Sequence, residues 1–461
     1  MERLIACLAV LLLASTASAG HAQETPEPEG STVISGATLI DGTTRPPLRD
    51  AVIVIAGSRI DHVGSARDTE IPMGAEIIDA SGKFVIPGLS DMHNHLARGS
   101  FGFEEGTPDY RQHLAELLGW GVTLVFSPGI NDLDAFAEIK RLSAKPAAPY
   151  PHFFGVGRQF SAAGGHVVGG YEPETPDLAR ASVRELAAAG VDAIKLVYSP
   201  VTYAIKAGLS VLEPTVMSAV IDEAHRHGLK AHVHAPILSY AKEALRAGAD
   251  SLVHGIISGP VDDEFIALMK KNQAVYMTTH SIFEAAGDIA DWARRGAAFD
   301  RRGLVPRTEF ERGMSPAFVR EWESLWDNHS YMKERLPVLR ANTKKVFEAG
   351  LLVVSGSDTG DAGAGLLNGL TAQLELQLLV ESGLSPRQVL GIATINAARM
   401  AGREHDLGSV EPGKLADLVI LDGDPLADIA NVHRIFRVVK GGVVHRQADL
   451  LHPPARARSR P

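Results

Sequence analysis

The stretch that decides the fold is Phe84-Val85-Ile86-Pro87-Gly88-Leu89-Ser90-Asp91-Met92-His93-Asn94-His95. It predicts a buried opening strand at 84–90, containing a Pro-Gly break and followed by two histidines spaced i, i+2. In a strand this spacing puts both imidazoles on one face, where two neutral nitrogens can reach a single metal ion. An isolated His-x-His is weak evidence, because such pairs also occur among ordinary surface and core histidines. The assignment therefore depends on what the later strands carry.

A second pattern repeats along the chain: an amphipathic helix that ends in glycine, followed at once by an apolar strand. The glycines and the strands that follow them are Gly121 before 122–126, Gly190 before 191–197, Gly228 before 229–234, Gly248 before 249–254 and Gly350 before 351–355. Glycine suits the left-handed position that closes a helix, and short helix-to-strand turns are typical of a parallel α/β repeat. With the opening strand and two more near 153–156 and 274–279, there are about eight strands, which favours a (β/α)8 barrel over an open sheet.

Short β-type runs at both ends of the chain predict a small second domain. Between residues 32 and 83 these runs are separated by Asp-Gly, Gly-Ser and Ser-Gly turns, and similar runs return after residue 401. We therefore predict an α/β architecture in which the barrel spans 84–400. A β-sandwich built from 32–83 and 401–446 would flank it.

Composition excludes several classes of partner. The 461 residues are 45% hydrophobic and 22% charged, which is ordinary for a globular protein, and the formal net charge is -10. This negative balance argues against nucleic acid or an anionic membrane as the main partner. Beyond the first residues, no segment offers the ~20 uninterrupted apolar residues of a membrane span. The composition leaves open whether the chain forms a homo-oligomer.

The two termini carry features of their own. Met1-Glu2-Arg3 precedes an apolar run from Leu4 to Ala14, and Ala17-Ser18-Ala19 resembles a signal-peptidase site. We expect residues 1–22 to be a cleaved secretory signal peptide and the mature protein to be secreted or periplasmic. Cys7 is the only cysteine, so the mature chain would contain neither a disulfide nor a thiolate ligand. The Pro- and Arg-rich residues 452–461 are predicted to be a disordered tail.

The chemically distinctive residues lie at strand ends, where barrel enzymes place their chemistry. Besides the first histidine pair, they are Lys195 within 193–197, His232 and His234, His254, and Asp358 after 353–357. Each has an ordinary alternative: a lone histidine is usually structural, a strand lysine usually lies at an edge, and an aspartate after Gly-Ser can cap a helix. Their shared position at successive strand ends nevertheless favours one common site.

Together these features resemble the amidohydrolase superfamily over residues 32–446. The resemblance rests on 85–95, on the strand-end residues, and on Thr394-Ile395-Asn396-Ala397-Ala398 and Leu407-Gly408-Ser409-Val410-Glu411-Pro412-Gly413-Lys414-Leu415-Ala416-Asp417-Leu418-Val419. This exit segment is highly specific. Within the superfamily the chain is similar to the imidazolonepropionase-like and prolidase-like branch, which includes secreted dipeptidases and ochratoxin-type amidases.

The resemblance implies a site for two divalent metal ions. The more buried ion would be bound by His93, His95 and Asp358, and the second by His234 and His254. Lys195 would bridge both ions after carboxylation by carbon dioxide, because burial beside cations lowers the lysine pKa and leaves a reactive neutral amine. Zinc is the expected metal for imidazole and carboxylate ligands, with manganese, cobalt or iron as alternatives.

The implied chemistry is hydrolysis of an amide bond. Two divalent ions can hold a hydroxide formed from water at neutral pH, while one of them polarises the scissile carbonyl. Asp358 can take the water proton and give it to the leaving nitrogen, and Lys195 and His254 complete the catalytic set. The expected substrate is a small molecule, either an Xaa-Pro-like dipeptide or an N-acyl amino acid.

Other functions remain open at this stage. The same site suits a lactonase, a phosphotriesterase or a hydrolase of cyclic amides, and a silent binding protein would have lost ligands that are all present here. A mononuclear deaminase is less expected, because such sites lack the bridging lysine.

Four further residues are candidates for substrate contact. They are His166 after the third strand, Tyr198 three residues past Lys195, His232, which faces inward by alternation, and His280 at the end of the seventh strand. A Gly-rich turn around His166 and a packed aromatic at Tyr198 are equally good interpretations. The insertion at 281–329 is predicted to roof the active site, with a dimer contact as the alternative.

Overall fold

The structure, a computed structural model, describes residues 30–96, 110–167, 169–201, 208–325, 329–360 and 366–452. The predicted signal peptide and all but the first residue of the predicted tail lie outside these ranges. No helix within them is long and apolar enough to cross a membrane.

The strands of this described part are, in chain order, β1 (Ser31–Leu39), β2 (Leu48–Ala56), β3 (Arg59–Ser65), β4 (Glu76–Asp79), β5 (Phe84–Pro87), β6 (Leu89–Asp91), β7 (Val122–Ser127), β8 (His152–Gly155), β9 (Ala193–Val197), β10 (Lys230–His234), β11 (Ser251–Val253), β12 (Val275–Thr278), β13 (Val353–Ser355), β14 (Leu418–Leu421), β15 (Ile435–Lys440) and β16 (Val443–His445).

The helices of the same residues are α1 (Tyr110–Gly119), α2 (Leu133–Leu142), α3 (Pro176–Ala188), α4 (Pro214–Arg226), α5 (Leu238–Arg246), α6 (Asp263–Asn272), α7 (His280–Gly287), α8 (Ile289–Phe299), α9 (Arg307–Met314), α10 (Pro316–Leu325), α11 (His329–Glu348), α12 (Leu370–Glu381), α13 (Pro386–Ile392), α14 (Ile395–Met400) and α15 (Gln447–Leu451). A 3-10 turn covers Ile429–His433.

Two parallel sheets form the wall of the barrel. One has the order β6-β7-β8 and the other β9-β10-β11-β12-β13. Two isolated β-bridges join the sheets, one on each side: Phe160 pairs with Leu196, and Asn94 pairs with Thr359. The interior is filled by side chains such as Met92, Phe126 and Met277. The (β/α)8 barrel predicted from the repeat is confirmed.

The predicted helix-closing glycines adopt the conformation that the repeat requires. Gly121, Gly190, Gly228, Gly248 and Gly350 all have positive φ, between 70° and 102°. A residue with a Cβ rarely adopts this backbone, so glycine lets each chain segment turn sharply from helix into strand.

The opening strand predicted at 84–90 is divided at its Pro-Gly break into two strands that belong to two domains. β5 pairs with β1 and β14 in the β domain, while β6 pairs with β7 in the barrel wall. The chain changes sheets at Pro87-Gly88, where a Cβ on Gly88 would lie 2.0 Å from Oγ1 of Thr123. The close approach of the barrel wall requires glycine here.

Strands from both chain ends form one β domain, as the sequence predicted. They are hydrogen-bonded in the order β16-β15-β14-β5-β1-β2-β3, and β4 also pairs with β1. The first half of β1 pairs with β4 and the second half with β5, so the sheet branches. Ile34, Ile53, Val85 and Leu418 share its core, which means that residues from both ends are needed to complete it.

A buried charged cluster joins this domain to the bottom of the barrel. Lys440 is 0% exposed, and its Nζ lies 2.8 Å from Nε2 of His152, the first residue of β8. Asp417 completes the cluster, with Oδ2 2.8 Å from the same histidine nitrogen. Because all three groups are buried, each depends on the others for compensation of its lost hydration.

The described part of the 281–329 insertion packs beside the barrel. Asp300 Oδ1 lies 3.1 Å from Nε2 of His433, and Arg302 donates a hydrogen bond of 2.9 Å to the Ile435 carbonyl. Phe283 does approach the strand ends, with its ring centroid 6.3 Å from that of His254. The contacts of Asp300 and Arg302 lie on the outside of the barrel, whereas Phe283 and Ser281, whose Oγ lies 2.8 Å from the Ser357 carbonyl oxygen, reach the strand ends. The roof over the site stays a prediction.

Candidate metal centre

The candidate ligands are carried by five strands or by the turns that directly follow them. His93 and His95 follow β6, Lys195 lies in β9, His234 ends β10, His254 follows β11 and Asp358 follows β13. All six are buried. The C-terminal ends of these parallel strands meet at one end of the barrel.

Asp358 lies at the centre of this group. Its Oδ1 is 3.2 Å from Nε2 of both His93 and His95, and its Oδ2 is 3.7 Å from Nδ1 of His254. Ligand atoms of His93, His254 and Asp358 lie within 4.8 Å of one another. The ring centroids of His234 and His254 are 4.5 Å apart, which brings the fourth imidazole into the same cluster.

Burial and neighbouring charges keep the histidines neutral and Asp358 ionised, which are the forms that bind a metal ion. Burial lowers the pKa of His93 to about 4 and holds the pKa values of His234 and His254 well below the ordinary value. Burial alone would raise the pKa of Asp358, but the charge and hydrogen bonds of the neighbouring histidines hold it well below its usual range. Neutral imidazoles facing a carboxylate are a donor set that fits a divalent metal ion.

Lys195 lies in the barrel wall beside this cluster. Its Cα is paired with that of His232 on the adjacent strand, and its side chain is buried. Burial lowers the pKa of Lys195 to about 7, although the charge of Asp358 acts in the opposite direction. A large fraction of the amine is therefore neutral at neutral pH, which is the form that reacts with carbon dioxide.

Two residues of the site have strained backbones. Asp358 has φ 54° and His254 has φ 74°, both in the left-handed region that only glycine adopts freely. Such conformations persist only where the surrounding structure enforces them. For Asp358, the backbone N–H donates to the His93 carbonyl at 2.7 Å.

Asp91 is a residue of the site that the sequence reasoning missed. It is 0% exposed and accepts hydrogen bonds from Ser357 N at 2.8 Å, Ser357 Oγ at 2.6 Å and Asn94 Nδ2 at 3.0 Å. The backbone N–H of His93 donates to it as well, at 3.3 Å. Its position two residues before His93 was the available signal, because alternation puts both on one face of the strand.

Two of the four predicted substrate contacts lie next to the cluster. The ring centroid of His166 is 4.8 Å from that of His234, and the side chain is only partly buried. His232 is buried below, 5.0 Å from the ring of Phe126, and neither of its ring nitrogens has a hydrogen-bond partner within the described ranges.

The structure does not bring the other two candidates, Tyr198 and His280, to the cluster. Tyr198 packs on the outer face of the barrel wall, where its hydroxyl donates to Glu243 of α5 at 2.7 Å. An offset of three residues from Lys195 is odd, so strand alternation sends the two side chains to opposite faces. His280 is the first residue of α7, and its Nε2 and Nδ1 lie 2.8 Å and 3.3 Å from the hydroxyls of Thr343 and Ser382. Its ring therefore lies among the outer helices.

The closed barrel and the buried histidine–aspartate cluster at its C-terminal end define a metal-dependent barrel hydrolase. Residues 84–444 match the sequence model of the amidohydrolase family, and the chain belongs to that family.

Individual relatives agree with this placement. The chain is 24% identical over 444 residues to the imidazolonepropionase of Shouchella clausii (strain KSM-K16), covering 87% of this chain and 86% of that protein. Among solved structures, a Xaa-Pro dipeptidase with bound methionine superposes with a TM-score of 0.70 at 24% identity, covering 90% of this chain and 100% of that one. Phenylurea hydrolase B gives 0.71 at 21% identity, with coverage of 94% and 100%. At these identities the structural likeness shows the fold alone. The chain is thus an amidohydrolase, a hydrolase that acts on carbon–nitrogen bonds.

Proposed function

We propose that this protein is a binuclear metal-dependent amidase that cleaves a dipeptide or an N-acyl amino acid. The observation that carries the proposal is the burial of Lys195 beside four histidines and Asp358. An apolar side chain would fill this place in the wall as well as a lysine does, so packing does not explain the amine. An amine that becomes an anionic bridge between two cations does explain it. The family relationship supports hydrolysis of a carbon–nitrogen bond.

In this proposal His93, His95 and Asp358 would hold one ion, His234 and His254 would hold the other, and Lys195, once carboxylated, would supply an anionic ligand. When bound, the ions supply Lewis acidity, which lowers the pKa of water and polarises the substrate carbonyl. Zinc suits these nitrogen and oxygen donors.

Asp358 is the proton carrier of the proposed reaction. Because its pKa lies well below its usual range, the carboxylate is ionised and can accept a proton from the attacking water. The same oxygen then returns this proton to the leaving nitrogen, so that the products are a free carboxylate and an amine.

His166 is the proposed substrate contact. Burial lowers its pKa to about 4, so the ring is neutral and offers one N–H donor. Beside His234 and partly exposed, it is placed to donate to the carbonyl or carboxylate oxygen of a substrate that enters from the strand ends.

The decisive experiment combines metal analysis of the purified protein with a screen of N-acyl amino acids, Xaa-Pro dipeptides, lactones and phosphotriesters. We expect two divalent ions per chain and cleavage of amides. Turnover of lactones or phosphotriesters without cleavage of any amide would reject the proposed substrate class.

Lys195→Ala tests the bridge. The variant should lose metal and activity, and acetate or propionate should restore part of the rate, because a short carboxylate can occupy the vacated position. The matched control is His93→Ala, which lacks a neutral nitrogen ligand and should not respond to these acids. Normal hydrolysis by Lys195→Ala with two bound ions would rule the bridge out.

A further inference from the structure

A second buried carboxylate lies behind the barrel wall, at the end of β12. Glu375 of α12 is 0% exposed. Its Oε1 accepts a hydrogen bond of 2.9 Å from the backbone N–H of His280, and its Oε2 accepts one of 2.8 Å from that of Ser281. Glu375 therefore holds the first turn of α7 against the barrel.

Ser281 connects this carboxylate to the metal centre. Its Oγ lies 2.9 Å from Oε2 of Glu375 and 2.8 Å from the backbone carbonyl oxygen of Ser357. Ser357 directly precedes Asp358, whose φ of 54° lies in the left-handed region. The peptide group between Ser357 and the strained Asp358 is thus linked to Glu375 of α12 through the Ser281 hydroxyl.

The same peptide segment is held from the opposite side. Asp91 accepts hydrogen bonds from Ser357 N and Ser357 Oγ, while Ser281 contacts the Ser357 carbonyl. Two buried carboxylates, one on β6 and one on α12, therefore restrain Ser357 from both sides. Restraint of this kind is what a left-handed non-glycine residue requires.

We propose that Glu375, acting through Ser281, is a positioning residue for Asp358. This inference rests on the proposed function, in which Asp358 binds metal and carries the proton. Glu375 and Ser281 contact neither metal nor substrate. They set the direction from which the Asp358 carboxylate enters the site.

The two contacts of the Ser281 hydroxyl, to Glu375 and to the Ser357 carbonyl, fix the direction of both hydrogen bonds. A serine hydroxyl has a single proton, and the carbonyl can only accept it. Both contacts are therefore hydrogen bonds only if Glu375 donates to Ser281. That arrangement needs the neutral acid form of the glutamate. Burial raises the pKa of Glu375 to about 7, which keeps a substantial fraction of it protonated at neutral pH.

Ser281→Ala is the direct test, because it removes the hydroxyl and leaves the backbone contacts to Glu375 in place. Its matched control is Ser90→Ala, which loses a buried hydrogen bond of the same kind, 2.8 Å from Oγ to the Ala393 carbonyl, on the far side of the wall. Outer partners of metal ligands typically contribute about 10–100-fold to metal affinity or activity. We expect Ser281→Ala to release Zn²⁺ to a chelator at correspondingly lower chelator concentration and to lower kcat with little change in KM. Ser90→Ala should retain wild-type metal affinity.

A second pair of variants tests the glutamate itself. Glu375→Gln keeps a donor towards Ser281 Oγ and one acceptor oxygen, although its NH2 group then faces one of the two backbone N–H groups that Glu375 accepts from. It should still preserve more metal affinity than Glu375→Leu, which keeps neither donor nor acceptor. Equal metal affinity and kcat in Ser281→Ala, Ser90→Ala and the wild type would overturn the inference. Failure of the proposed function is recognised separately, since the wild type would then neither retain two ions nor cleave amides.

Discussion

Asp91 and Ser357 are 266 positions apart in the sequence, yet Ser357 donates two hydrogen bonds to the Asp91 carboxylate, at 2.8 Å from N and 2.6 Å from Oγ. This contact joins the end of β6, which carries the His-x-His pair, to the turn that carries Asp358. The relative placement of two predicted ligand groups depends on it.

Replacement of Asp91 by asparagine should disturb both groups at once. An amide has one acceptor oxygen instead of two, so one of the Ser357 donors is left facing an NH2 group. We expect a loss of about 2–3 kcal/mol in the free energy of unfolding, as for a buried hydrogen bond to a charged group. Urea denaturation and metal content per chain would measure the two effects. Asp192→Asn is the control, because Asp192 also accepts a backbone N–H, from Gly155, but lies away from the site and should leave metal content unchanged.

Reconstitution of the metal-free protein should depend on pH between 6 and 8. The neutral amine of Lys195 becomes more abundant as the pH rises through its pKa of about 7. Its fraction grows from about one tenth at pH 6 to about nine tenths at pH 8. Burial lowers the pKa of His93 to about 4, so this ligand stays neutral throughout the range. Metal uptake at a constant concentration of dissolved carbon dioxide should therefore be severalfold faster at pH 8, and a rate that does not change with pH would contradict carboxylation.

Tyr198 and His166 should respond differently to mutation. Tyr198→Phe removes a hydrogen bond to Glu243 on the outer face, so it should cost about 1 kcal/mol of stability and leave kcat and KM unchanged. His166→Ala should lower kcat/KM by roughly 10–100-fold, as expected for one lost hydrogen bond to a charged group. Steady-state kinetics on the same substrate would separate the two. A catalytic loss in Tyr198→Phe would mean that the outer face of β9 reaches the site.

Lys440→Met should destabilise the junction between the two domains. The change leaves Asp417 and His152 buried without their cation, and breaking a buried ion pair in this way costs about 3–5 kcal/mol. Lys230→Met is the control, since the Lys230 side chain is 67% exposed and paired with Asp250, where such pairs contribute about 0–1 kcal/mol. Metal content of the folded fraction should remain at the wild-type level in both variants. Equal unfolding midpoints would show that the buried cluster is not needed for stability.

The sequence by itself determined the barrel, the β domain built from both chain ends and the set of strand-end residues. These features have local signals: a glycine that closes each helix, an apolar run of strand length, and polar residues at the end of that run. Strand alternation and the common direction of parallel strands pick out the strand-end residues without knowledge of any partner. These residues are His93, His95, Lys195, His232, His234, His254 and Asp358, and only the resemblance to the amidohydrolase superfamily implies which of them bind metal.

Only the tertiary structure decided how these residues are held. The contacts from Ser357 to Asp91 and from Ser281 to Glu375 join segments that are distant in the chain, and no local pattern specifies which buried carboxylate will meet which donor. The same holds for the change of sheet at Pro87-Gly88, which follows from the approach of Thr123, and for His280, whose ring turns towards helices α11 and α12. A periodic pattern fixes the face of a strand on which a side chain lies. The partners that the side chain meets depend on packing between strands and helices, which the pattern does not contain.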